Sequence, residues 1–294
     1  MTGDSISYIV LFLLVFFLTT SSSQDPSSSS PQHEVSKHGK DWDVLIFTQH
    51  WPATVCYQWR ERETSHRCSM PSNDIWTVHG IWPTKLGTIG PAFCNDTWAF
   101  DQSQLEPIQD QLDRYWINIE KDTPHNSLWK HEWMKHGTCA AVLPQLNSEN
   151  KYFSQGLEWL QEYSMSKVLQ RVDIQPNNTF DPVEIYSGVK KVLNKNPAME
   201  CMHDVKTGLS YIFEIRICFD KNLRLTDCDG IKSRLRHLGD GKILTNCDLH
   251  KQVIYPEVIE MPKKAVLQKQ ENISYKWSIF DLYKIIYFVQ WFTF

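Results

Sequence analysis

An α+β fold is predicted for this chain of 294 residues. Three observations carry that expectation. Helix-like and strand-like segments come in runs, not in the strict alternation of a doubly wound parallel sheet. The stretch "SYIFEIRICF" at 210–219 alternates, with Tyr211, Phe213, Ile215, Ile217 and Phe219 on one face of a strand. Eight cysteines, an even number, follow an apolar leader, the usage of an exported domain stapled by disulfides.

The elements follow in chain order. Residues 8–18, "YIVLFLLVFFL", form an apolar run too short and too near the start for a membrane span, and the small residues behind it suit cleavage. Residues 1–23 are therefore expected to be a signal peptide, although Asp4 stands where a basic residue is usual. Residues 24–40 are a Ser-rich polar leader. "DVLIFTQHWP" at 43–52 is a strand ended by Pro52. "DIWTVHGIWP" at 74–83 alternates, placing Ile75, Thr77, His79 and Ile81 on one face and Trp76, Val78 and Gly80 on the other. A helix is expected over 101–116 with Asp101 as its cap, and another over 129–137 with Gly137 as its stop. Further helices are expected over 150–171 and 181–194, the latter with Asp181 as N-cap and Pro182 at the first helical position. Residues 261–294 end in "KWSIFDLYKIIYFVQWFTF", which Asp281 and Lys284 interrupt; their role, including any membrane contact, stays open.

No pair of cysteines is spaced C-x-x-C, which argues against a cysteine zinc site, and the sequence alone leaves the disulfide connectivity open. Sequons at Asn95, Asn177 and Asn272 fit export. The formal net charge is −4 with neutral histidines, too acidic for static gripping of nucleic acid. The eleven histidines turn that balance positive if they charge, so a polyanion would be held better in an acidic compartment.

"HEWMKHGTC" at 131–139 carries the chemistry. Zinc proteases place two histidines four residues apart on a helix, about 40° apart around the axis. Here His131 and His136 are five apart, about 140° on an ideal α-helix, which is poor for one metal ion. His131 with Lys135, and Glu132 with His136, instead make two adjacent stripes at i, i+4. Glu132 is expected to orient His136 and favour its imidazolium form, and Lys135 suits an anionic transition state. His79, mid-strand between Trp76 and Trp82, would complete an acid–base pair across a cleft. Such a pair acts on a phosphodiester that carries its own 2′-hydroxyl nucleophile.

Together "WTVHGIWP", "HEWMKHGTC" and the earlier "TQHWPATVC" resemble the segments of the T2 family of ribonucleases, animal secreted or lysosomal type, over about residues 41–260. The resemblance implies an antiparallel sheet packed with helices and endonucleolytic cleavage of single-stranded RNA through 2′,3′-cyclic phosphates to 3′-phosphates. It implies no cofactor, no metal, no action on DNA and no obligate protein partner. His136 would be the base and His79 the acid. His131, Glu132 and Lys135 would bind phosphate and stabilise the transition state, and Trp82 would stack a base. Asn118, Leu128 and, more weakly, His50 would line a second base pocket. The implied disulfides are Cys56–Cys68, Cys94–Cys139, Cys201–Cys247 and Cys218–Cys228. Thr84 departs from an acidic residue common in the family and leaves base preference open. Two other classes stand beside this one: a secreted factor that acts by binding alone, and a zinc hydrolase.

Overall fold

The computed structural model describes residues 41–231, 236–238 and 243–259. The expectations for residues 1–40, for the tail and for Asn272 lie outside them. Strand β1 (Val44–His50) runs between β2 (Thr77–Thr84) and β5 (Ser210–Phe219), antiparallel to both. All seven residues of β1 are buried, so both its faces are covered. Between β1 and β2 comes helix α1 (Pro52–Arg62), with proline in its first turn, where no backbone N–H is needed. The sheet continues from β5 to β4 (Ala198–His203), then to β8 (Ile243–Thr245) and β7 (Arg236–Leu238). Short β6 (Leu225–Thr226) folds back on β5, and β3 (Asn178–Phe180) pairs with β9 (Val253–Tyr255). The expected sheet is mainly antiparallel, with parallel pairing where β4 meets β8 and β5 meets β9.

The expected helix over 101–116 is a 3₁₀ segment, Gln102–Ile108, followed by α2 (Gln109–Tyr115). Pro107 lies where the two join and cannot donate to a continuous α ladder. Asp101 does cap it, its carboxylate accepting from Ser103 N at 3.0 Å. The segment containing "HEWMKHG" starts as α3 (Ser127–Glu132), passes through a π turn (Trp133–Gly137) and goes on into α4 (Thr138–Ala140). Gly137 is therefore not a stop. A Cβ there would strike the Trp133 ring, which packs on the backbone.

The expected helix over 150–171 divides into α5 (Glu149–Glu162) and α6 (Met165–Gln170). Buried Gln49 of β1 takes the groups freed at the break: Tyr163 O accepts from its Nε2 at 2.8 Å, and Met165 N donates to its Oε1 at 2.9 Å. Helix α7 (Pro182–Leu193) has the expected cap, Asp181 accepting from Val183 N at 2.8 Å, and closes on Asn194 in the left-handed region at φ 53°.

One core joins the helices to the sheet. Phe47, Val78, Ile81, Trp129, Trp133 and Phe153 are buried in it, so the tryptophans flanking Glu132 anchor that helix. Gly156 lets α5 pass close to Trp116 and Ile81. The four disulfides are Cys56–Cys68, Cys94–Cys139, Cys201–Cys247 and Cys218–Cys228, the pairing implied above. Cys94–Cys139 closes 45 residues onto α4, directly after the π turn. The double variant Cys94→Ala/Cys139→Ala is expected to lose about 2–5 kcal/mol of stability, measured by denaturant unfolding.

Candidate active site

His79 owes its direction to a β-bulge. Thr48 pairs with Gly80 and Gln49 with Val78, which leaves His79 as the extra residue on β2. Strict alternation would separate Val78 from Ile81, yet both are fully buried in the same core. The expected sharing of a face by His79 and Ile81 therefore fails: the bulge changes the phase and turns His79 out, with its side chain 30 % exposed. Its backbone is held, Trp116 Nε1 donating to His79 O at 2.9 Å and Tyr152 OH to Ile81 O at 2.8 Å. A second bulge lies on β5, where Glu200 pairs with Glu214 and Cys201 with Ile212. Phe213 is the extra residue there, so Ile212 joins Ile215 in the main core while Tyr211 packs in a separate cluster with Tyr57 and Met202. The expected common face of Tyr211, Phe213 and Ile215 ends at that bulge.

The π turn corrects the spacing argument. A π turn holds more residues than an α turn, so positions five apart approach one another. His131 and His136 have ring centroids 6.2 Å apart. One ligating atom from each of His131, Glu132 and His136 lies within 4.8 Å of the others. Two imidazoles and a carboxylate at that separation could hold a transition-metal ion, so the α-helical angle does not exclude one.

Glu132 does not serve His136 as expected. Its carboxylate accepts from Trp82 Nε1 at 2.9 Å and lies 4.0 Å from His79 Nε2. The Glu132 side chain is only 1 % exposed, so it is screened from the cleft by its neighbours. Trp82 stands between the two candidate acid–base groups, 5.1 Å from His79 and 5.6 Å from His136, ring to ring. Burial pushes Glu132 up to about 7 despite the pull of His79 and the Trp82 bond. His136 is held well below the ordinary histidine value by burial, then by Lys135 and His131. His131 sits at about 4 for the same kinds of reason, burial first and Lys135 second. Burial alone would also push His79 down, but the carboxylates of Glu214 and Glu132 outweigh it and hold His79 above its ordinary value. Two imidazoles of one site thus have opposite protonation preferences.

The remaining expected residues divide. His50 is buried and stacks on His79 with ring centroids 5.2 Å apart; burial keeps it neutral, at about 3. Lys135 supplies the positive charge felt by His131 and His136. Asn118 uses its amide within the turn before α3, donating to Thr123 Oγ1 at 2.8 Å and Ser127 Oγ at 2.9 Å. Leu128 packs against the core. Thr84 is buried, and its hydroxyl donates to Trp82 O at 3.1 Å, so it is not turned toward a base. Asn95 Oδ1 accepts from the Thr97 hydroxyl at 2.8 Å, and Asn177 is exposed in a left-handed turn at φ 65°.

Sequence reasoning missed Glu214, Arg216 and Glu200. Glu214 Oε1 lies 2.6 Å from His79 Nδ1. The available signal was "EIR" inside an apolar strand, two opposite charges on the face that Ile215 does not use.

Gly80 makes room for the Trp82–Glu132 bond, because a Cβ there would strike both Glu132 Oε2 and Trp82 Nε1. Gly80→Ala is expected to retain the fold by far-ultraviolet circular dichroism and to lower turnover at least about tenfold, the size of a positioning loss.

A model of the Ribonuclease T2 family matches residues 42–228. Ribonuclease Oy of Magallana gigas is 37 % identical over 195 residues, covering 65 % of this chain and 89 % of that protein. Ribonuclease T2 of Sus scrofa is 33 % identical over 193 residues, covering 64 % and 90 %. The crystal structure of human RNase T2 superposes with a TM-score of 0.57 at 28 % identity, over 73 % of this chain and 98 % of the other. With the family model spanning both histidine segments and both bulged strands, the chain belongs to the Ribonuclease T2 family.

Proposed function

We propose that this endoribonuclease cleaves single-stranded RNA by metal-independent transesterification, with His136 as general base and His79 as general acid. One observation carries the assignment: His136 is kept neutral while His79 is kept charged, on either side of Trp82. A base must start without its proton and an acid with it. Neutral His136 takes the proton of the ribose 2′-hydroxyl. The 2′-oxygen bonds to phosphorus, the bond from phosphorus to the 5′-oxygen breaks, and His79 gives its proton to that leaving oxygen. The 2′,3′-cyclic phosphate is then opened by water with the roles exchanged, giving a 3′-phosphate and restoring both rings.

Lys135 and His131 face the non-bridging oxygens in this scheme, Lys135 with the positive charge that stabilises the pentacovalent state and His131 with a ring N–H. Buried Glu132 acts through its bond to Trp82 and, when ionised, through its charge on His79. Trp82 offers a ring for base stacking, worth about 1–3 kcal/mol per base. Its other neighbour is the Arg216 guanidinium, 5.2 Å from the ring centroid. His50 and Leu128 are the candidates for a second base pocket, with Asn118 shaping it through the turn. Four disulfides, the apolar leader and the exposed sequon at Asn177 support an exported, glycosylated enzyme working in an oxidising, acidic compartment.

The pH dependence follows from the signs. His136, with its lowered value, stays a free base well into the acid range. His79, with its raised value, stays an acid past the ordinary histidine range and loses activity as pH rises through that value. Activity is therefore expected to be greatest on the acid side of neutrality.

Cleavage of a short RNA at about pH 5 in EDTA, with product ends identified by mass spectrometry, is expected to show cyclic phosphates and then 3′-phosphates. Loss of activity in chelator, restored by added metal, would instead assign His131, Glu132 and His136 to an ion. His79→Ala and His136→Ala are each expected to lose about 10²–10⁴-fold in kcat while remaining folded; full activity in either overturns its role. DNA of the same sequence is expected to stay intact, since it lacks the 2′-hydroxyl.

A further inference from the structure

The ring of His79 is the end of a buried ionic array. Glu214 accepts at Oε1 from His79 Nδ1, 2.6 Å away, and its side chain is 1 % exposed, so substrate cannot reach it. Its other oxygen accepts from Arg216 Nε at 3.1 Å and Nη2 at 2.6 Å. Arg216 also pairs with Glu200, which lies opposite Glu214 on the neighbouring strand β4. Two carboxylates, one guanidinium and one imidazole thus lie in series across β4, β5 and β2. With the ring neutral, the buried carboxylate of Glu214 loses the charged partner on its Oε1 side, which is costly.

We propose that Glu214 is a positioning residue acting through His79: its carboxylate holds the ring with a proton on Nδ1 and Nε2 turned to the cleft, and Arg216, anchored by Glu200, aims that carboxylate. This rests on the reading of His79 as the proton donor. Nε2 is then the atom that gives its proton to the leaving oxygen. The ring that remains is the neutral form protonated at Nδ1, still bonded to Glu214, so no tautomer change precedes the second step. Glu200 has its own part. With Arg216 paired to Glu214 alone, the guanidinium would cancel the field that His79 needs.

The other groups around the ring do not supply this. Glu132, from the helix side, favours the charged ring from 4.0 Å without reaching Nδ1. Of the positive groups, Arg216 opposes the charge on His79, and charged His79 in turn disfavours a proton on His50, stacked on it, and on His131 and His136. Glu214 itself stays ionised, because Arg216 and His79 hold it at about 2 against the upward push of burial.

Two measurements on the full disulfide-bonded chain test the proposal. Long-range ¹H–¹⁵N spectra of wild-type protein, with His79 assigned through His79→Asn, are expected to show Nδ1 protonated throughout and the ring titrating above the ordinary value of about 6.5. A neutral ring protonated at Nε2, or titration at or below that value, overturns the proposal. Glu214→Gln keeps an acceptor for Nδ1 and removes the charge. It is expected to move the alkaline limb of kcat/KM on a short RNA down by about one pH unit, with KM nearly unchanged. Glu200→Gln is expected to move it in the same direction by less. An unmoved limb in folded Glu214→Gln leaves Glu214 a structural role and also overturns the proposal. The spectra decide the matter if Glu214→Gln does not fold. They also separate the two ideas: an inactive wild-type enzyme removes the donor role from His79, whereas the ring's tautomer still reports on Glu214.

Discussion

A single hydrogen bond, from Trp82 Nε1 to the buried carboxylate of Glu132, joins the strand that carries His79 to the helix that carries His136. Nearly every feature of the site can be traced to it. It requires Gly80 to lack a side chain. It requires Glu132 to be buried, which the fully enclosed Trp129 and Trp133 on either side enforce. It leaves the tryptophan ring edge-on to one histidine and tilted toward the other. A buried carboxylate without such a donor would be costly, so fold stability and site geometry are satisfied by the same contact.

Around that bond the molecule departs from regular structure three times: a bulge at His79, a bulge at Phe213 and a π turn over Trp133–Gly137. Each departure changes which residues share a face. The first turns an imidazole out of the core, the second re-phases the start of the strand that bears Glu214, and the third folds His136 back toward His131. Bulges and π turns are costly in isolation and concentrate where a side chain must be aimed. Here the first bulge is held from outside by Trp116 and Tyr152 and the second by Trp51 N, which donates to Phe213 O, while the π turn packs its own Trp133 ring over Gly137.

That explains how far the sequence could be read. The two histidine segments and the capped helix Pro182–Leu193 were legible, because they depend on residue type and short spacing. The disulfide pairing was legible only through the family resemblance, since spacing alone leaves it open. Periodicity failed at 74–83, 211–213 and 131–136 for one reason: it assumes an unbroken ladder, and the irregularities are set by partners far away in the chain. Glu214 stayed hidden on similar grounds. Its meaning depends on a histidine 135 residues earlier, and nothing local marks it beyond charge in an apolar strand. Gln49 likewise divides what reads as one helix from 114 residues away.

The place of β1 between β2 and β5 also bears on how the enzyme is made. The chain emerges from the ribosome in order, and both histidine segments are complete by Cys139. At that moment β1 has a partner on one edge only, because β5 begins at Ser210. The carboxylate that meets His79 is absent as well, and Phe47 of β1 still lacks Trp159 of α5. A nascent chain of this length therefore carries the candidate acid–base side chains without the framework that aims them. An enzyme that attacks RNA is assembled on RNA, and this topology postpones its competence until most of the polypeptide has left the machine that makes it.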